Sequence, residues 1–130
     1  MSGEFAELAD TIESSLRDVF AEMDACIIHN ALTLHFHLPL TRALHRLASR
    51  TRCRLIAWCH DLSWTNPLYL PLMRSQEPWT LLAQPAAGVS YVAVSNARRD
   101  ELQRLLGDDA TVRTIINGIE IGRASCRERV

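Results

Sequence analysis

The chain has 130 residues, a formal net charge of −1 and a hydrophobic content of 48%. This length suits one domain or part of a larger one. Acidic and basic residues are interspersed, so no basic face supports nucleic-acid binding. No apolar run reaches the roughly 18 residues that cross a bilayer, and the acidic, amphipathic start does not resemble a signal peptide. These features predict a cytoplasmic protein without a transmembrane segment and leave a peripheral membrane contact open.

Cysteine and arginine usage add two signals. The four cysteines, Cys26, Cys53, Cys59 and Cys126, include no CxxC pair, so neither a structural zinc site nor a thioredoxin motif is indicated. We expect the first three to be reduced and buried. All 14 basic residues are arginine, which indicates the coding bias of a GC-rich genome rather than a binding device.

Hydrophobic periodicity predicts two helix–strand units in the first 60 residues. Apolar residues at steps of three and four predict a helix over about 4–23 that covers a sheet. Residues 25–29 have no polar alternation, which predicts a strand buried on both faces. Pro39 suits the first turn of a second helix, on which His45 is expected to face solvent. Residues 53–59 then predict a second strand.

The second half continues this alternation after a long connection. Residues 61–88 hold four prolines and two tryptophans, and connections of this length are usually functional or contain short helices. A third strand is predicted at 89–94, a helix at 96–106 with Ser95 as its cap, and a fourth strand at 111–116. The spacing predicts an α/β fold: a partial doubly wound parallel sheet, Rossmann-like, with about four strands and flanking helices.

The last eleven residues depart from the pattern. Residues 120–130 hold three arginines and two glutamates without periodicity, and they resemble the translation of a sequencing adapter. We therefore expect a partial Rossmann-like domain over 1–119 and a non-native tail over 120–130, which we exclude from fold reasoning. The alternative is a genuine basic C-terminal peptide.

A titratable pair follows the second predicted strand. The apolar run at 55–59 ends abruptly in His60 and Asp61, and open α/β sheets bind ligands outside the carboxyl ends of their strands. His29 and Asn30 end the neighbouring strand, so we expect them to line the same crevice. The alternative is that the pair caps a helix or is a satisfied polar pair under the long connection.

Other side chains carry weaker signals. No spacing such as HExxH joins the five histidines, so no metal site is predicted. Trp64 and Trp79 can stack on a sugar or a lipid, but such residues more often pin a loop to its domain. Arg98 and Arg99 are expected on an exposed helix face, with a phosphate contact as the alternative.

Five segments together carry a family resemblance. Their sequences are CIIHN at 26–30, LPLTRAL at 38–44, HDLSWTNP at 60–67, YVAVSNARRDEL at 91–102 and IINGI at 115–119. In this order and at these separations, they resemble the N-terminal half of a glycosyltransferase of family 4, which has the GT-B fold. The resemblance covers most of residues 5–119.

The resemblance implies an activity and an incomplete chain. Such enzymes have two Rossmann-like halves, with the nucleotide-sugar donor mainly in the C-terminal half and the acceptor mainly in the N-terminal half. It implies hexosyltransferase-like sugar transfer with retention of configuration and no required metal or other cofactor. The acceptor, a sugar, a lipid or a small metabolite, stays open. The family's first strand, its glycine-rich loop and its C-terminal half are absent, so we expect an inactive fragment.

The resemblance also implies site residues. The family carries a histidine at the end of an N-domain strand, facing the donor sugar, and His60 matches it. The implied catalytic role of His60 is a hydrogen bond to the sugar and stabilisation of transition-state charge. Asp61 is expected to orient this imidazole or to contact the acceptor. The other expected substrate-binding residues are His29, Asn30, Trp64 and Ser95.

An alternative function is a stand-alone α/β module that binds a small ligand or a partner without catalysis. An enzyme requires a second Rossmann half after residue 119, whereas a binding module does not. In the family's strand order, the strand at 25–29 would lie beside the absent first strand. We therefore expect an open apolar edge there and poor solubility.

Overall fold

The computed structural model describes residues 3–116. Its helices and strands, in chain order, are α1 (Gly3–Ala21), β1 (Ala25–His29), α2 (Leu38–Ala48), β2 (Arg54–Cys59), β3 (Ser90–Ala93), α3 (Asn96–Leu106) and β4 (Thr111–Thr114). Short 3-10 turns lie at His35–His37, Leu70–Leu72 and Trp79–Ala83. The predicted helices and strands are therefore all present, and their ends lie within about two residues of the predicted ones.

The four strands form one parallel sheet in the order β1-β2-β3-β4. Parallel neighbours need crossovers, and α2, the long connection and α3 supply them. Right-handed crossovers that all step in one direction fall on one face of a sheet. This arrangement confirms the α/β, Rossmann-like prediction, and residues 3–116 contain one of the two windings of a doubly wound sheet.

One face of the sheet is the centre of the core. Leu55, Ala57 and Cys59 of β2 and Tyr91 of β3 lie on this face, and each is at most 2% exposed. Burial raises the pKa of the Cys59 thiol to about 12 and that of the Tyr91 phenol to about 12, so both stay protonated at neutral pH. The helical side chains that complete this core are Phe20, Leu44, Leu47, Leu102 and Leu106.

The opposite face carries no helix within residues 3–116. Strand alternation places Ile27 of β1, Ile56 and Trp58 of β2 and Val92 of β3 on it. Ile27 is 53% exposed and Ile56 and Trp58 are half-buried, whereas Val92, on the more central strand, is 5% exposed. The prediction that β1 is buried on both faces is therefore wrong, because helices cover only one face. The sheet order does leave β1 at an edge, as predicted.

Helix α1 packs mainly on α2 rather than on the sheet. It buries Ala9, Glu13 and Phe20, whereas Leu8 and Val19 are 45% and 49% exposed. Its apolar stripe is consequently only partly covered. The predicted role of this helix as a cover for the sheet is limited to its C-terminal end, where Phe20 joins the core.

Glu13 is a buried carboxylate with three arginine partners. Its oxygens lie 3.3 Å from Arg17, 3.5 Å from Arg46 and 3.3 Å from Arg50. Arg46 also pairs with Asp10 at 2.9 Å. The arginine side chains are 35–66% exposed, so each pair contributes only about 0–1 kcal/mol. Together they satisfy a charge that the contact between α1 and α2 buries.

His45 is half-buried, in contrast to the prediction that it faces solvent. It lies against the 3-10 turn at Trp79–Ala83, where it shares a backbone hydrogen bond with Leu81. Desolvation lowers the pKa of its imidazole, and Nε2 has no hydrogen-bond partner in the described part of the chain. The prediction failed because the long connection folds back over α2, which helical periodicity alone does not reveal.

Candidate active site

His60 follows β2 at the carboxyl edge of the sheet. Its backbone N–H donates to Oδ1 of Asn30 over 2.8 Å, so its main chain is held in place. Its side chain is half-buried, and among residues 3–116 no group hydrogen-bonds to its ring nitrogens. The main chain is therefore fixed, while both ring nitrogens are available to a ligand.

His29 and Asn30 meet His60 across the first two strand ends. The rings of His29 and His60 stack with centroids 5.9 Å apart and planes 21° apart. Asn30 has a φ of 61°, a left-handed conformation that asparagine tolerates, and its N–H donates to the carbonyl of Trp58 over 2.9 Å. The structure thus brings the three predicted residues together, with Asn30 acting as the clamp on His60.

Asp61 anchors the start of the long connection. Its Oδ1 accepts from the N–H of Leu62 over 2.8 Å, and its Oδ2 accepts from Nδ2 of Asn66 over 2.7 Å. Its carbonyl accepts from the hydroxyl of Thr33 over 2.8 Å. Within the described residues no hydrogen bond joins its carboxylate to the ring of His60. This geometry is that of a satisfied polar group under the long connection.

Arg98 adds a positive charge to this edge of the sheet. The sequence analysis predicted it on an exposed helix face. Its Nη1 lies 2.7 Å from Oε1 of Glu101 and 3.9 Å from Oδ1 of Asp61, and its side chain is 32% exposed. The hydroxyl of Thr65 donates to the same glutamate oxygen over 2.8 Å. One charged group therefore links α3 to the residues that follow β2. Its place in the first turn of a helix that follows a strand end is a signal that could have indicated this edge.

Ser95 caps α3, as its sequence position predicts. Its Oγ accepts from the N–H of Arg98 over 3.1 Å, and its carbonyl accepts from the N–H of Arg99 over 2.9 Å. The cap uses the hydroxyl oxygen as an acceptor, so the hydroxyl proton remains available. Ser95 lies just after β3, at the same edge of the sheet as His60.

Trp64 connects the two ends of the long connection. Its Nε1 donates to the carbonyl of Trp79 over 2.9 Å, and its side chain is half-buried. This is the pinning role that tryptophans in such a loop usually have. A contact between its ring and a substrate remains a prediction.

The sequence analysis missed a hydrogen-bonded pair, the buried Ser63 and the half-buried His35. Ser63 is fully buried, and its Oγ accepts from the backbone N–H of His35 over 3.1 Å and lies 2.8 Å from Nδ1 of the same residue. The N–H of Ser63 also donates to the carbonyl of Thr33 over 2.9 Å. These bonds join the loops that follow β1 and β2. Because the partners are 28 residues apart, no local pattern indicates the pairing.

A cavity of about 460 Å³ adjoins the joined loops. Its apolar wall is formed by Phe5, Phe36, Leu38, Pro39, Pro78 and Trp79, and its polar wall by His35, His37, Gln76 and Glu77. A cavity of this volume lies within the range of small-molecule sites. Two of its lining residues make the hydrogen bonds described above: His35 bonds to Ser63, and the carbonyl of Trp79 accepts from Trp64. A second cavity of about 460 Å³ lies among Arg17, Arg50 and Arg52, close to the opposite ends of the strands.

Residues 3–116 contain no group of three or more histidine, cysteine or acidic side chains placed to hold a metal ion. None of their helices combines the length and the apolar character needed to cross a membrane.

Comparison with known proteins gives one match. The family model described as Glycosyltransferase Family 4 matches residues 13–123, which is well over half of the chain. Neither a curated protein nor a solved structure gives a significant match. The matched range includes all four strands, His60 and every other predicted site residue. The chain therefore belongs to glycosyltransferase family 4.

Proposed function

We propose that the chain is the acceptor-side part of a hexosyltransferase that moves a sugar from a nucleotide-sugar donor to an acceptor with retention of configuration. Family membership supports the transferase class. The role of individual residues is argued from His60: its backbone N–H is held by Asn30, and within residues 3–116 the nitrogens of its half-buried ring make no hydrogen bond. A preorganised polar group of this kind, aimed at developing charge, is a principal source of catalysis.

In this proposal His60 is the catalytic residue and its neighbours have separate roles. The imidazole hydrogen-bonds to the donor sugar and stabilises charge as the bond to the leaving nucleotide breaks. His29, stacked on His60, and Ser95, with its free hydroxyl proton, contact substrate groups at the same edge. Asn30 positions His60, and Asp61 contacts the acceptor or holds the loop that does so.

The proposal also includes the boundary of the native sequence and the cellular compartment. We place the native boundary at residue 119 and treat 120–130 as non-native; both the boundary and the tail lie outside the described residues, and the family match extends to residue 123. Donor binding is assigned mainly to a second Rossmann half, so the chain alone is expected to be inactive. Cys26, Cys53 and Cys59 are free thiols, which suits the reducing cytoplasm.

The test begins with the source DNA across the codon for Glu120. We expect the reading frame to continue into a second α/β half. The enzyme expressed from that frame should transfer sugar from at least one member of a panel of UDP-, GDP- and ADP-sugars. Proton NMR of the product should show the anomeric configuration of the donor. Turnover by the present chain alone, or an inverted product, would contradict the proposal.

Variants of that longer enzyme test the residue roles. His60→Ala should lower kcat/KM by roughly 10²–10³-fold, the loss typical of a preorganised hydrogen-bond donor to a transition state. His29→Ala is the matched control, since it removes the stacked ring but leaves the clamp on His60. A smaller loss is expected for this control. Equal losses of kcat/KM in the two variants would contradict the assignment of His60 as the catalytic residue.

The alternative, a binding module without catalysis, is favoured by one specific observation: the cavity of about 460 Å³ beside the loops. If the genomic frame encodes 120–130 and then stops, the chain has no place for a donor-binding half. The binding module would then be the better interpretation.

A further inference from the structure

A separate pocket lies beside the His60 edge, between the 3-10 turn after β1 and the end of the long connection. We propose that this cavity of about 460 Å³ binds a sugar ring of the acceptor, with Phe36 and Trp79 as apolar platforms and with His35, His37 and Glu77 as hydrogen-bonding groups. The inference rests on the proposed transferase function. It names the acceptor class, a carbohydrate, and the residues that select it.

The two aromatic platforms are supported by residues outside the cavity wall. The guanidinium of Arg74 lies 5.0 Å from the ring centroid of Trp79. The ring of Tyr69 meets Phe36 edge-on, with centroids 5.6 Å apart and planes at 90°. Phe36 is nevertheless 66% exposed, an uncommon state for a large apolar side chain. Supported aromatic planes beside a cavity suit the C–H face of a pyranose ring.

The polar wall supplies one defined N–H donor and a second imidazole nitrogen. His37 Nδ1 accepts from the N–H of Leu40 over 3.2 Å, so the proton of the neutral ring is on Nε2. The Oγ of Ser63 accepts from the backbone N–H of His35 and lies 2.8 Å from Nδ1 of the same residue, so the His35 ring is also held through Nδ1. A hydroxyl oxygen can accept two hydrogen bonds as well as donate one, so either tautomer of His35 fits this pair. Both imidazoles therefore leave Nε2 for a ligand, and Nε2 of His37 is the defined N–H donor.

Glu77 adds a carboxylate acceptor to these groups. It lines the cavity next to Gln76 and is exposed to solvent. A sugar uses every part of this wall, because it combines an apolar face with hydroxyl groups that donate and accept. A lipid chain would desolvate the two imidazoles and the carboxylate without replacing their hydrogen bonds. A free phosphate would be repelled by Glu77.

The cavity is also connected to the proposed catalytic residue. Ser63 and Trp64, three and four positions after His60, bond to His35 and Trp79 of the cavity wall. A ring held in the cavity therefore has a fixed position relative to the edge where His60 lies. That relation is what an acceptor subsite requires.

The test is NMR of the ¹⁵N-labelled chain titrated with methyl α-glucopyranoside, methyl α-mannopyranoside and maltose up to tens of millimolar. The three indole N–H signals, from Trp58, Trp64 and Trp79, report on different places. We expect sugar to shift the signals of Trp79 and of Trp64, which donates to the Trp79 carbonyl. The Trp58 signal should stay fixed, because this residue lies on the open face of the sheet.

Two surface variants and a control complete the test. Phe36→Ala and Glu77→Gln change exposed side chains, so both variants should fold, and each should weaken sugar binding by about fivefold or more. Ile27→Ala, on the open face, should leave the affinity unchanged.

Several results would overturn the inference: no shift with any sugar, shifts at Trp58 alone, or shifts caused by cyclohexanol or indole but not by sugars. The absence of sugar binding in a chain whose longer form transfers sugar to another acceptor would overturn this inference alone. Sugar binding at Trp79, in a gene that ends without a donor half, would support the carbohydrate site and overturn the transferase.

Discussion

Both faces of the sheet carry apolar side chains, but within residues 3–116 helices cover only one of them. Leu55 and Ile56 are neighbours in β2, and both are large and aliphatic. Leu55 is 2% exposed in the core beneath the helices, whereas Ile56 is half-buried on the face without a helix. An apolar strand sequence therefore indicates that both faces are suited to burial, and the winding of the crossovers decides which face is buried.

Matched truncations in β2 should show the largest difference between the faces. Leu55→Ala is expected to lower the free energy of unfolding by about 2–5 kcal/mol, because it opens a cavity in a packed core. Ile56→Ala should cost about 1 kcal/mol or less, because solvent already reaches that side. Urea unfolding followed by circular dichroism measures both. Equal losses would mean that the second face is covered in solution.

A buried hydrogen bond on the covered face should also contribute measurably to stability. The Tyr91 hydroxyl accepts from the N–H of Ala86 over 2.9 Å, in a buried setting. Tyr91→Phe leaves that N–H without a partner and should cost about 1–3 kcal/mol. Tyr69→Phe, a half-buried control, should change stability by less than about 0.5 kcal/mol. A neutral effect of Tyr91→Phe would indicate that water reaches the Ala86 amide.

The free energy of unfolding should depend on pH through His45, on the covered side. Burial lowers the pKa of its imidazole below the ordinary 6.5, so the unfolded chain binds the proton more readily than the folded one. The stabilising effect is complete above about pH 6.5 and is lost as the pH falls toward the folded pKa. Chemical unfolding between pH 5 and 8 should show this decline, and His45→Gln should reduce it. An unchanged profile in the variant would assign the decline to other groups.

The smallest change in stability is expected at the open edge. Ile27→Thr keeps a β-branched side chain at a 53% exposed position, so the free energy of unfolding should move by no more than about 0.5 kcal/mol. The concentration at which light scattering begins should nevertheless rise, because an apolar edge strand templates association. The matched change Ile28→Thr, on the core side, should destabilise without this benefit. An unchanged scattering threshold for Ile27→Thr would show that another surface causes aggregation.

Local signals were enough to predict the helices and strands. The range of α3 was predicted correctly because Ser95 caps its start and Gly107, with a φ of 92°, ends it. The meeting of His29 and His60 also follows from sequence, because adjacent parallel strands bring their carboxyl ends to one edge. Strand burial did not follow, since it depends on which face the crossovers occupy.

The contacts that build the site were beyond local patterns. His35 and Ser63 are 28 residues apart and lie in two loops without periodicity. Arg98 pairs with Asp61 only because α3 starts beside the end of β2. His45 was assigned to solvent because the cover over it comes from a turn more than 30 residues later. Each of these contacts depends on the path of an irregular segment.

The hydrogen bonds between the loops after β1 and β2 have a thermodynamic consequence for recognition. Thr33 bonds to Asp61, and Ser63 bonds to His35, so the two loops are ordered as part of folding. Binding of a ligand at this edge therefore costs the protein little conformational entropy. Differences in affinity among ligands should then reflect the contacts they make rather than the ordering of the loops they meet.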